Sequence, residues 1–216
     1  MRKDIKIIDK FIVLKNAGCK VFRGFIKRLF LKEVHNLFFV GKKVVISHGK
    51  NIRCGKNVKF EDYSEIHGLC SEGIILGDFV TIGRGVMIRP SSYYGTSLGQ
   101  GLIMGDNSSI GPYAYIGCAG KIIIGNNVMI GPSSKLFAES HIYSDLRKTI
   151  KSQGVTRKGI IIEDDCWIGS DVIILDGVKI GKGCIIGAGS VITKDIPSNS
   201  IVIDKRLQTI RERKDN

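Results

Sequence analysis

Apolar residues in the last third of this chain recur at a spacing that is not helical. Isoleucine stands at positions 162, 168, 174, 180, 186 and 192, six apart without a slip. Four places after each comes a small or apolar residue: Cys166, Val172, Val178, Cys184, Ser190 and Ile196. A period of six matches neither the 3.6 residues per turn of an amphipathic helix nor the plain alternation of a single strand. It matches a coil with three flat sides, one hexapeptide to a side, which is the repeat of parallel β-helices. Alternate strand residues share a face, so the isoleucine and the small residue two pleats on both point inward. Glycine directly follows isoleucine at 169, 181 and 187. It is expected to let the chain bend at a corner where other residues would be strained.

The same pattern can be followed upstream. Ile46, Ile52 and Val58 are in phase, and Leu76, Ile82 and Ile88 continue that phase, with Ser64 and Cys70 as weaker matches between them. A polar stretch, RPSSYYGTSLGQG at 89–101, interrupts it. Shifted phases then run through Met104, Ile110 and Ile116 and through Ile124, Ile130 and Leu136. A solenoid tolerates such shifts as corner insertions, because each coil touches only its neighbours. Between Leu136 and Ile162 the repeat stops altogether. Connections longer than about 12–15 residues are usually functional or disordered. The pattern therefore predicts an all-β parallel β-helix over 44–198 with an extended loop near 137–160. A basic N-terminal helical cap or anchor (1–43) precedes it, and a C-terminal tail or short helix (199–216) follows.

The first segment is the most charged. Residues 1–32 carry ten Lys/Arg and two acids, and Ile7, Ile8, Phe11, Val21, Phe22, Phe25, Ile26, Leu29 and Phe30 form an imperfect helical stripe. Gly18 is the expected break. Two readings fit: a helix capping the open end of the solenoid, or a basic amphipathic anchor lying on anionic lipid. The formal charge of the whole chain, +13, points to anionic partners without choosing among them. No apolar run reaches the ~18 residues of a membrane span. Charges at Lys6, Asp9 and Lys10 break up any leader-like run. A cytoplasmic protein is expected, with peripheral contact at the inner face of the membrane as a further expectation. Cys19, Cys54, Cys70, Cys118, Cys166 and Cys184 show no CxxC pair and no ligand spacing, so no metal is expected. Cys166 and Cys184 read as small core residues on neighbouring coils. No nucleic-acid-binding motif is present, and no nucleic-acid partner is expected.

The run CWIGSDVIILDGVKIGKGCIIGAGSVITKDIP, with AESHIYSD upstream, resembles the hexapeptide-repeat acyltransferases of left-handed β-helix fold. The likeness covers 44–198 and is nearest to the galactoside, maltose and surface-polysaccharide O-acetyltransferases. It implies a homotrimer that takes acetyl-CoA as donor and a hydroxyl of a sugar or surface-polysaccharide precursor as acceptor. His141 falls at the place of the family's general base, and direct transfer without an acyl-enzyme follows. Histidine titrates near neutrality and can take a proton from an attacking hydroxyl. Glu139 could hold its tautomer, as could a backbone carbonyl.

For the cofactor, the resemblance implies a groove between neighbouring subunits, with contacts carried over to Ser170, Ala188, Thr193 and Lys194. Backbone groups at Ser170 and Ala188 suit pantetheine amides and Lys194 suits a phosphate. Trp167 would wall the groove. The basic loop residues Arg147, Lys148, Lys151, Arg157 and Lys158 could attract an acidic acceptor. Two departures stand out. Asp204 and Arg206 replace the family's closing glycine and proline, and the acceptor-binding asparagine and aspartate of galactoside enzymes fall at Gly111 and Ala119. Galactosides and maltose are therefore not expected as substrates. The alternatives are a serine-type O-acetyltransferase, for which the stretch before Val44 is short, and a non-catalytic scaffold or binding module.

Overall fold

The computed structural model describes residues 6–91 and 97–205, and its coils follow the hexapeptide pattern. Three parallel sheets form the sides of a prism. The first runs through Glu33–Val34, Ile52–Cys54, Cys70–Leu76, Gly99–Met104, Ile122–Ile124, Ile160–Ile162 and Lys179–Ile180. The second begins at Phe38–Val40 and ends at Ile201–Val202, and the third runs from Val45–Ser47 to Val191–Ile192. Each strand is hydrogen-bonded to the strand one coil away, and like positions stack. Ile130, Ile168 and Ile186 pair in register on the second face, and Leu136, Ile174 and Ile192 on the third. These isoleucines are buried, and so are Cys166, Val172, Val178, Cys184 and Ser190, the small positions between them. The whole inward set comes from one rule, alternate residues on a common face.

The ladder is longer than the legible repeat. Glu33 and Val34 already pair with Arg53 and Cys54, and Ile201 and Val202 pair with Ile185 and Ile186, so coils extend past both expected limits, 44 and 198. The register between Ile46 and Leu76 also differs from the expected phase. Ile66 stacks on Ile46, and Cys54 and Phe60, not Ile52 and Val58, take the equivalent inward position on the first and second faces, because the turn Gly49–Asn51 slips the chain at one corner. Ile52 and Val58 occupy the second inward position, buried all the same.

The glycine directly after the inward residue answers to a cause other than bending, although Gly183 and Gly189, two places on, are left-handed. At the corner between the first and second faces, Gly55, Gly77, Gly105 and Gly125 have ordinary φ values, and the left-handed residues are their successors Asn57, Phe79, Asn107 and Asn127. What these glycines require is room. A side chain on Gly105 would meet Asn126 Oδ1 at 2.6 Å, and one on Gly125 would meet Asp164 Oδ1 at 2.3 Å. Those oxygens climb the corner as a ladder. Asp78 accepts from Lys56 N, Asp106 from Asp78 N, Asn126 from Asp106 N and Asp164 from Asn126 N, each at 2.7 Å. The turn amides are thereby satisfied from the next coil, which the sequence pattern alone does not show.

The N-terminal helix Ile7–Lys27 runs unbroken through Gly18, against expectation. The space beside Gly18 is open, so glycine there costs only its propensity, about 1 kcal/mol. The tail from 206 to 216, with Arg206 and the expected short helix, lies outside the described residues.

Candidate active site

Every insertion into the repeat falls at one corner, where the third face hands the chain to the first. Ile66 to Leu76, Ile88 to Met104, Ile116 to Ile124 and Leu136 to Ile162 all depart from the spacing of six there. The other two corners keep it. Stacked loops therefore build relief on one edge of an otherwise smooth prism, and the edge encloses a cleft of about 750 Å³.

The long loop is an ordered hairpin. Ser140–His141 pairs antiparallel with Val155–Thr156, His141 opposite Val155. Asp176, on the coil beyond, fastens its base by accepting from Thr156 Oγ1 at 3.0 Å, Lys158 N at 3.1 Å and Gly159 N at 2.8 Å. The His141 side chain is exposed on the cleft wall. Glu139 also lines the cleft, but its carboxylate accepts from Arg157 Nε at 2.8 Å. Arg157 continues to Leu98 O at 2.9 Å and Ser97 Oγ at 3.1 Å, so one guanidinium ties the hairpin to the neighbouring loop. The floor is aromatic, with Tyr115 and Phe137 rings 5.6 Å apart, and Arg89 stands at the far side, held by Glu65 at 2.8 and 2.9 Å. Neither aromatic was marked by a motif, and their signal was only that they flank the insertions; Arg157 was marked only as one of the basic loop residues. Of the basic loop residues, Arg147 and Lys148 turn to Asp145, whose carboxyl Arg147 holds below its usual range, while Lys151 and Arg157 reach the cleft.

Beneath the same face lies a buried histidine. His67, on the strand Glu65–His67, is 1% exposed with its ring 5.1 Å from that of His48. Burial first, then the charges of His48 and Arg89, push its pKa below 6.5, with Glu65 opposing.

The residues expected to hold coenzyme A lie elsewhere on the same chain. Ser170 and Ala188 are neighbours on successive coils at the corner between the second and third faces, where Ser170 O accepts from Gly189 N at 2.8 Å. Trp167 stands on the second face between Met129 and Ile185, 54% exposed. Thr193 and Lys194 are exposed at the far end of the third face, after Val191–Ile192. None of the five lines the cleft that holds His141 and Glu139. Among the described residues, no cluster of three His, Cys, Asp or Glu could hold a metal ion.

Comparison with known proteins follows the same lines. The family of bacterial hexapeptide transferases (six repeats) matches residues 159–194. The galactoside O-acetyltransferase of Escherichia coli is 34% identical over 142 residues, covering 65% of this chain and 68% of that protein. The colanic acid biosynthesis acetyltransferase WcaF of the same species is 33% identical over 132 residues, covering 61% and 69%. A Schizosaccharomyces pombe acetyltransferase is 44% identical over 92 residues, a match that spans 42% of this chain and only 43% of that protein. In three dimensions the chain superposes on AntD, a Bacillus cereus N-acyltransferase solved with dTDP and coenzyme A, with a TM-score of 0.54. That superposition covers 88% of this chain and 89% of the other at 19% identity, and speaks for the fold.

The architecture is a left-handed parallel β-helix of transferase type, with its relief gathered at one corner. The chain belongs to the hexapeptide-repeat transferase family, among relatives that include galactoside O-acetyltransferase and WcaF.

Proposed function

We propose that the protein is an acetyl-CoA-dependent O-acetyltransferase acting on a hydroxyl of a sugar or surface-polysaccharide precursor, with His141 of one copy as general base. The observation that carries this reading is the exposed His141 in a hairpin-walled cleft at the one corner where the repeat is interrupted. The AntD complex contains coenzyme A, and the relatives include a galactoside O-acetyltransferase and a colanic acid biosynthesis acetyltransferase, which supports the donor and the acceptor class.

In the reaction the acceptor hydroxyl attacks the thioester carbonyl while His141 takes its proton. The tetrahedral intermediate collapses, expelling the coenzyme A thiolate, and the imidazolium returns the proton to sulfur. Backbone N–H groups of the adjoining coil would hold the oxyanion, a contribution of about 2.7–4 kcal/mol per donor elsewhere. The Tyr115–Phe137 floor offers an apolar face for a sugar ring, and Arg157 holds the hairpin rather than the base. Glu139 therefore acts on His141 only through that scaffold. Because Ser170, Ala188, Thr193, Lys194 and Trp167 lie off the cleft, the thioester is brought to His141 by a second copy. A homotrimer in the cytoplasm is the assembly that fits.

The test is release of the coenzyme A thiol from acetyl-CoA across a panel of sugars and oligosaccharides, for the wild type and His141→Ala. Acceptor-stimulated release should fall by about 10²–10⁴-fold in the variant. Equal release by the two proteins would remove His141 from the mechanism. If neither acetyl-CoA binding nor release occurred, the non-catalytic scaffold would be the better reading.

A further inference from the structure

The N-terminal helix is mounted with its polar side against the coils and its apolar side in solvent. Lys20 pairs with Glu61, and Arg23 Nε donates to Val40 O at 2.8 Å and Gly41 O at 3.1 Å. Gly24, the one buried residue of the helix, lies so close to Phe38 that a side chain there would overlap its carbonyl. These contacts cap the open edge of the strand Phe38–Val40. On the opposite side Ile7, Phe11, Phe22 and Phe25, with Leu29 in the turn beyond, fall on one stripe by helical spacing. They are 84%, 67%, 67%, 65% and 69% exposed. A helix serving only as a lid would turn that stripe inward. A contiguous apolar patch of this kind marks an interaction surface.

We infer that this stripe docks the protein on the surface of an anionic lipid bilayer. Charge decides between lipid and a second copy of the chain. Residues 1–32 carry ten Lys/Arg against two acids, and by helical spacing Lys10 and the exposed Lys15 flank the stripe. Two copies meeting along it would bring like charges together across an apolar contact, whereas an anionic surface satisfies both features at once. Lys15 lies at the edge of the stripe, where its long stem can run along the lipid while the ammonium reaches the headgroups. No described helix is long and apolar enough to cross a membrane, so the helix lies in the interface plane. The inference concerns location and is independent of the reaction.

The full-length protein would be floated with vesicles of phosphatidylcholine alone or mixed with phosphatidylglycerol, over a range of salt. Its state of assembly would be followed by sedimentation. Binding is expected on the anionic vesicles, weak on the neutral ones and reduced by salt. Phe11→Ser/Phe25→Ser, which alters two exposed side chains, should weaken it by about tenfold or more. Lys10→Glu/Lys15→Glu should abolish the preference for anionic lipid. Thiol release and trimer mass should be unchanged in both. Failure of the wild type to bind anionic vesicles would overturn the inference. So would a phenylalanine variant that binds equally well, or one that dissociates the assembly, since the last places a second copy on this face.

Discussion

Single residues here are constrained by what the next coil places against them. A Cβ added at Gly105 would lie 2.6 Å from Asn126 Oδ1 and 2.7 Å from the Gly125 carbonyl carbon, both held in place by the corner ladder. Gly105→Ala should cost about 1–3 kcal/mol of unfolding free energy, read by urea titration. An unchanged midpoint would mean that the ladder opens freely. His67 gives the pH dependence. Its pKa is lowered in the folded protein, so the unfolded chain binds more protons and stability rises with pH. The contribution is fully present above about pH 6.5 and is lost as pH falls from there toward the lower folded value. Between pH about 8 and about 5.5, His67→Gln should lose less stability than the wild type. Parallel losses would contradict the assignment. As a sequence position His67 has nothing local to support a role, because burial, the cause of its shift, has no signature in a lone histidine.

Among elements, those most regular in sequence were the most legible. From Ile124 on, the isoleucine stack could be read residue by residue, since each side of the prism repeats the same inward pair. Ile168→Ala, inside the second face between Ile130 and Ile186, should cost about 2–5 kcal/mol in denaturant unfolding, because the ladders above and below prevent collapse around the cavity. The coils before Leu76 were misphased because Cys54 and Phe60 take isoleucine's place there, and a two-residue slip is invisible without a strong marker. The long loop was legible as an interruption and through His141. Its inner wiring was not, because Arg157 pairs with Glu139 and with Leu98 across sequence distances that no local pattern spans. Glu139 and Arg157 act here as one clamp. Arg157→Ala should lower acceptor-stimulated thiol release by about tenfold while leaving the unfolding midpoint within about 0.5 kcal/mol, as for a partly exposed ion pair. A full loss of fold would place Arg157 in the core structure rather than in loop positioning.

At the scale of the whole molecule, the candidate site is divided. One corner of the prism carries His141, Glu139 and the aromatic floor, while Ser170 and Ala188 lie at a second corner and Thr193 and Lys194 at the end of the third face. Sequence motifs named both groups but gave no distance between them, and the structure shows that a single copy does not bring them together. The closed trimer proposed above would answer this, because a heterologous contact repeated three times sets each corner against a different part of the next copy. The most direct measurement mixes two variants, His141→Ala and Ala188→Trp, each inactive by itself, after dissociation and reassembly together. If His141 of one copy works on a thioester held by another, equal mixing should restore about a quarter of wild-type activity, one intact site in each mixed trimer. Activity no greater than the sum of the two separate variants would contradict the account and place the whole reaction within one copy.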